Sequence, residues 1–180
     1  MGSELALPIG TADHVLGLSQ APVTVIEYGD FECPSCKQAA PAVKIMLARF
    51  AGRVRFAYRH FPLVGEHPRR HPHALQAALA AEAAGAQGKF WPMHDVLLEN
   101  QAHLSPRDLR RYARRLELDM VRYDAEIADE HHLQRVREHI ASAERSGVRG
   151  TPGFFINGVV QDVSFGMGHL LEGVEAALRL

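Results

Sequence analysis

The 180 residues hold two cysteines and one tryptophan, and nowhere a run of about 18 apolar residues. Two cysteines exclude a multi-disulfide scaffold. The missing apolar run excludes a transmembrane helix, so no membrane partner is expected. Charge of one sign is also missing. Twenty Lys+Arg face 21 Asp+Glu, a formal net charge of -1. Nucleic-acid binders usually carry a basic excess, so no nucleic-acid partner is expected. Internal repeats and low-complexity segments are lacking as well. The amino terminus, Met1 to Ile9 (MGSELALPI), has neither a basic n-region nor a long apolar stretch. It does not read as a secretory signal, and the expected location is the cytosol. The expectation becomes the periplasm if Met1-Gly2-Ser3 is a cloning remnant standing where a leader was removed.

What is present is a globular composition, 47% hydrophobic and 23% charged. Pro22 to Tyr28 (PVTVIEY) is β-branched and aromatic, with Gly29 behind it, and reads as a strand. Its apolar run suggests burial on both faces, as in a central strand. From Pro34 the apolar residues Ala39, Val43, Met46, Leu47 and Phe50 recur at helical spacing up to Gly52. Pro41 should kink that helix. Arg53 to Tyr58 alternates as a second strand, which completes a right-handed βαβ unit.

From His73 to about Gly147 the pattern is helical. Segments are expected at His73 to Gly85, Phe90 to Asn100, from Ser105-Pro106 onward, Asp119 to Ala128 and His131 to Ser146. Ser105 followed by Pro106 is a cap with proline in the first turn. Gly153 to Ile156 and Val159 to Gln161 read as strands joined by a type I′ turn at Asn157-Gly158. A last helix spans about Met167 to Leu178. The layout is an α/β fold, βαβ…ββα, interrupted by an all-α insertion. It reads as one domain over 1–180, with the α/β parts at about 9–62 and 148–180 and the insertion at about 63–147.

Cys33-Pro34-Ser35-Cys36 falls at the strand-to-helix junction. Cysteines three apart at a helix start share one face, near disulfide reach. Unpaired backbone N–H groups and the helix dipole favour a thiolate there. Pro34 wastes no N–H in the opening turn. A structural bridge closing so small a loop would constrain the unfolded chain weakly. A structural zinc would need two more ligands, and no second cysteine pair exists. Redox chemistry is the reading that remains favoured.

Three segments make the chain resemble the bacterial DsbA-like thiol–disulfide oxidoreductases: APVTVIEYGDFECPSC, YRHFPL at Tyr58 to Leu63, and GTPGFFING at Gly150 to Gly158. The similarity runs from about Ile9 to the end, and most closely toward short members without a leader. It implies a thioredoxin-like fold with an inserted helical domain. It implies Cys33 as exposed nucleophile, Cys36 as resolving thiol, and Pro152 as a cis-proline facing the dithiol. Thr151 would help to bind substrate backbone. Glu27, six residues before Cys33, would be the buried acid that exchanges a proton with Cys36. Pro34 and Ser35 stand where the strongly oxidising periplasmic members have Pro-His. No cofactor is implied. Partners would be protein or small-molecule thiols and disulfides, glutathione included.

Eleven histidines raise a metal reading. His60, His67, His71 and His73 are divided by Pro62, Pro68 and Pro72, and His131-His132 cannot easily face one ion from a helix. Packing or surface roles are expected instead. Arg110, Arg111, Arg114 and Arg115 read as a solvated stripe balanced by Glu117 and Asp119. Phe90, Trp91 and Met93 read as core of the insertion, while Phe31 suits core or substrate surface equally. Two other functions fit the chain: a redox-sensing or peptide-binding module without turnover, and a glutathione-transferase-like enzyme. Members of the second kind usually lack the second cysteine, so Cys36 argues against it.

Overall fold

The computed structural model describes residues 4–64 and 71–180. The tripeptide Met1-Gly2-Ser3 and the residues His67 and Pro68, weighed above, lie outside the described residues. The elements in chain order are β1 (His14–Leu16), β2 (Val23–Gly29), α1 (Pro34–Arg49), β3 (Val54–His60), α2 (Ala74–Gly85), α3 (Phe90–Glu99), α4 (Pro106–Arg115), α5 (Met120–Ile127), α6 (Glu130–Arg145), β4 (Gly153–Ile156), β5 (Val159–Gln161) and α7 (Gly168–Ala177). The sheet order is β1-β3-β2-β4-β5. Strands β2 and β3 are parallel, and the other pairs are antiparallel.

The central place of β2 accounts for its composition. Side chains alternate along a strand, so Val23, Val25 and Glu27 face one side and Ile26 and Tyr28 the other. Val23 and Val25 join the large core beneath α1 and the helices α2 to α5 and α7. Ile26 and Tyr28 join a smaller core with Ala57, Phe155 and Ala143 of α6. Covered on both sides, the strand is apolar except at half-buried Thr24, whose hydroxyl accepts from Arg55, and at one fully buried position. That one is Glu27, on the large-core side.

Local signals placed the other elements well. Helix α1 runs through Pro41 as a single element. Ser105 caps α4, its hydroxyl accepting from the Asp108 N–H at 3.3 Å. Asp119 caps α5. Asn157 and Gly158 both have positive φ, 47° and 84°, as a type I′ turn requires. Strand β1 is the element the sequence did not announce. Three residues are too few for alternation to show, and its edge position is set by pairing with Phe56 to Tyr58. Gly17 ends it at φ 94°, where a Cβ would stand 2.4 Å from the Val54 carbonyl oxygen.

The arginine stripe is solvated, but its partners are not those expected. Arg110 pairs with Asp124 of α5 and Arg111 with Asp108, 3.0 Å away. Tertiary packing brought α5 alongside α4, which sequence proximity to Glu117 and Asp119 does not describe. Trp91 packs on Phe56 of β3, with ring centroids 5.7 Å apart. Helix α3 therefore completes the core over the sheet as well as the insertion.

Several histidines sit buried or half-buried in hydrogen-bonded networks around carboxylates. His60 and His14 place Nε2 at 2.8 Å and 3.1 Å from the fully buried Glu82 carboxylate, and Arg135 of α6 donates to it at 2.7 Å. This cluster fastens α2 and α6 to β1 and β3. On the opposite face Arg59, 1% exposed, donates twice to Asp13 at 2.8 Å and also to the Leu7 and Pro8 carbonyls and the Tyr28 hydroxyl. Removing one member of a buried pair costs about 3–5 kcal/mol because the other charge stays buried. Arg59→Met should lose stability on that scale in urea unfolding. A loss below about 1 kcal/mol would mean that Asp13 finds water instead.

Candidate functional site

Cys33 is the N-cap of α1, with φ -76° and ψ 120°, and Pro34 opens the helix. The extended conformation at the cap follows from the proline after it, which disfavours the helical region for its predecessor. The next turn brings Cys36 back over the start: its N–H donates to the Cys33 carbonyl at 3.1 Å. Both cysteines are free thiols. Cys36 has no exposure, and Cys33 retains only 7%. The expected exposed nucleophile is thus a nearly covered one. Gln101, between α3 and α4, donates to the Phe31 and Cys33 carbonyls at 2.9 and 2.8 Å and holds the dithiol loop against the insertion.

The Thr151–Pro152 bond is cis. It sits ahead of β4, beside the dithiol in space although 118 residues away in the chain, and the Cys33 thiol donates to the Thr151 carbonyl at 3.3 Å. Ser35, Thr151 and Pro152 line an open groove of about 570 Å³ with Val160, Asp162 and Met167. Ser35 is exposed there, and Pro34 before it is exposed as well. The structure thereby gathers Cys33, Cys36, Pro34, Ser35, Thr151 and Pro152 in one place. Glu27 lies beneath them, 3% exposed.

The electrostatics separate the two thiols. Hydrogen bonding from Cys36 lowers the Cys33 pKa most. The half-buried Thr151 side chain and the backbone N–H groups of Cys36 and Ser35 add to this, and against the opposing effect of burial the thiol comes down to about 5. Cys36 goes the other way. Burial, its hydrogen bond to Cys33 and the nearby Glu27 hold it well above 9.0, although the Asp30 N–H reaches its sulfur at 3.5 Å. Burial, and secondarily the Cys33 charge, raises Glu27 to about 8. One thiol is ionised at neutral pH, its neighbour keeps its proton, and a carboxyl that titrates near neutrality adjoins both.

Phe31, which suited core or substrate surface equally, is core: it is 1% exposed and stacks on Tyr58 at 5.2 Å. Other groups around the dithiol loop escaped the sequence reading. Asp30 is buried below the loop, where its carboxylate lies 2.8 Å from His71 Nδ1 and accepts from the Leu63 and Glu32 N–H groups. His71 is therefore a partner of the loop that carries the dithiol. His94 packs its ring edge-on to Tyr58 at 4.7 Å. Its place four residues after Phe90 put it on the buried face of α3, a helical-spacing signal that was available.

A thioredoxin fold with a helical insertion, and a dithiol at the first turn of α1 facing a cis-proline, defines the class of this molecule. The family model described as Thioredoxin matches residues 10–172. The chain belongs to the thioredoxin family. BdbD from Bacillus subtilis superposes with a TM-score of 0.84 at 23% identity, over 99% of this chain and 98% of that one. A thioredoxin-like oxidoreductase from Silicibacter pomeroyi gives 0.83 at 27% identity, over 95% of each chain. Among curated relatives, the Na(+)/H(+) antiporter NhaA 1 of Salinispora arenicola is 47% identical over 175 residues, 97% of this chain and 26% of that protein. The chain thus spans about a quarter of the length of the curated relatives it matches. Among the described residues no helix is long and apolar enough to cross a membrane.

Proposed function

We propose that the chain is a thiol–disulfide oxidoreductase working through Cys33 and Cys36. The observation that carries this is the opposite perturbation of two adjacent thiols, Cys33 down to about 5 and Cys36 up. An ionised thiol is the nucleophile of disulfide exchange, and a thiolate stabilised at neutral pH is also a good leaving group. Acting on a disulfide, the Cys33 thiolate attacks one sulfur and expels one substrate thiolate. A mixed disulfide then joins Cys33 to the other half. Cys36 gives its proton to Glu27, attacks the Cys33 sulfur and expels the second substrate thiolate. Two electrons pass to the substrate, and a Cys33–Cys36 bridge remains. Run backwards, the same steps oxidise a substrate dithiol.

The groove at Thr151-Pro152 supports extended protein segments as substrates, with the backbone beside Cys33 as their docking edge. Small thiols such as glutathione fit the same chemistry. The antiporter name of the longer relatives belongs to those proteins, and the present reading rests on the dithiol. Cys36→Ser should accumulate mixed disulfides at Cys33 when offered a disulfide substrate, seen as a mass increase that a reductant removes. Cys33→Ser should form none. Wild-type protein that cannot turn over any disulfide would leave a sensing module in place of an enzyme.

A further inference from the structure

A second cavity, of about 80 Å³, lies between the sheet, α1 and α3. Its wall is aliphatic or aromatic except for Glu27, Lys44, His94 and Asp95. Two of these present buried atoms with no hydrogen-bond partner, Glu27 Oε1 and His94 Nε2. Leaving such an atom dry costs about 1–3 kcal/mol. A cavity of this size has room for more than one water, and the two unpaired atoms are partners for one, so the favourable arrangement is water between them. At its outer side Lys44 and Asp95 form an ion pair at 2.8 Å, with side chains 57% and 39% exposed. The cavity thus joins a buried carboxyl to the surface.

His94 is set up to pass a proton along it. Its Nδ1 lies 3.1 Å from the Asp95 carboxylate. A carboxylate only accepts, so in the neutral ring Nδ1 carries the hydrogen and Nε2 holds the free lone pair. Burial lowers the His94 pKa, which keeps the ring neutral and ready to accept. The groups around it are Asp95 on its own helix, Lys44 on α1, Tyr58 and His60 on β3, and Glu27 on β2. Lys44 and His60 disfavour the imidazolium while Asp95 favours it. Such a balance suits a transient carrier.

We infer that His94 relays to solvent, through water in this cavity and past the Lys44–Asp95 pair, the proton that Glu27 takes from Cys36. The inference rests on the disulfide-exchange reading above. Protonated Glu27 hands its proton to the water, the water protonates Nε2, and the imidazolium releases the Nδ1 proton toward Asp95 and the bulk. One proton leaves, Glu27 is a carboxylate again, and no electrons move. His94 acts through Glu27, as a positioning residue.

The test uses the reduced full chain and an aromatic disulfide whose thiolate absorbs visible light. Attack by Cys33 releases one equivalent, and resolution by Cys36 releases a second. His94→Phe retains the ring packing and removes the proton acceptor. Asp95→Asn, at a part-exposed position, leaves the ring and removes the carboxylate that orients it. His94→Phe should slow the second phase about tenfold or more near neutral pH, below the roughly hundredfold or more that a positioned acid or base itself supplies. Asp95→Asn should shift the pH profile of that phase. Both should enlarge its solvent isotope effect, while the first phase keeps its wild-type rate and pH profile. An unchanged second phase in both variants would overturn the inference, as would slowing in which the first phase changes equally, since that marks a packing role. A wild-type protein that shows no second phase would instead overturn the exchange reading itself.

Discussion

Alkylation of the reduced protein at pH 6 should label Cys33 at least about tenfold faster than Cys36. With a pKa of about 5, Cys33 is mostly thiolate there. Cys36, held well above 9.0, is ionised to less than about 0.1%. Ionisation alone therefore favours Cys33 by about a thousandfold. A less basic thiolate is also a weaker nucleophile, and over four units that offsets up to about a hundredfold. About tenfold survives, and the complete burial of Cys36 enlarges it. Peptide mapping after a short pulse of iodoacetamide reads the ratio; equal labelling would remove the basis for assigning the nucleophile. The same ionisation sets the redox potential. A thioredoxin dithiol has a nucleophile pKa of about 7 and a potential near -270 mV. Cys33 lies about two units lower, and each unit is about 1.4 kcal/mol, or roughly 30 mV for two electrons. The expected potential is about -210 mV, between a reductase and an isomerase. A glutathione titration placing it near -120 mV would make the protein a strong oxidant and overturn this expectation.

Glu27→Gln should change how stability depends on pH. The folded protein holds Glu27 at about 8, well above its ordinary 4.5, because burial penalises the carboxylate. A raised folded pKa favours folding below about 4.5, and that contribution is lost as pH rises through about 8. Between pH 4 and pH 9 the group should cost the wild type about 3–5 kcal/mol, which the glutamine variant escapes. Cys33 acts in the opposite sense: its depressed pKa adds stability as pH rises from about 5 toward 9.0. The comparison therefore belongs in the disulfide-oxidised protein, where neither thiol titrates. Urea midpoints that fall alike with pH in both proteins would show that Glu27 is solvated. In the reduced protein the same substitution should slow resolution by Cys36, because the thiol loses its proton acceptor.

Much of this molecule follows from short-range pattern. The β-branched run of Val23 to Tyr28 reads as a strand covered on both faces, and the structure covers it with two cores. Cysteines at a helix start after a strand are bound to share a face, and Ser105, Asp119 and Asn157-Gly158 each mark a local conformation that their side chains or φ angles demand. These features need no distant partner, so periodicity and capping chemistry reach them. What the tertiary structure decided depends on residues far apart in sequence. The Thr151 carbonyl meets Cys33 across 118 residues. The near-complete covering of Cys33 and the clamp from Gln101 come from packing the insertion onto the dithiol loop. Strand β1 exists because β3 pairs with it, the arginines of α4 take their partners from wherever neighbouring chain falls, and His71 finds Asp30 across a loop. Desolvation is the extreme case. Glu27, Cys36 and His94 owe their shifted pKa values first to burial, and burial is a property of the assembled core that no stretch of sequence carries by itself.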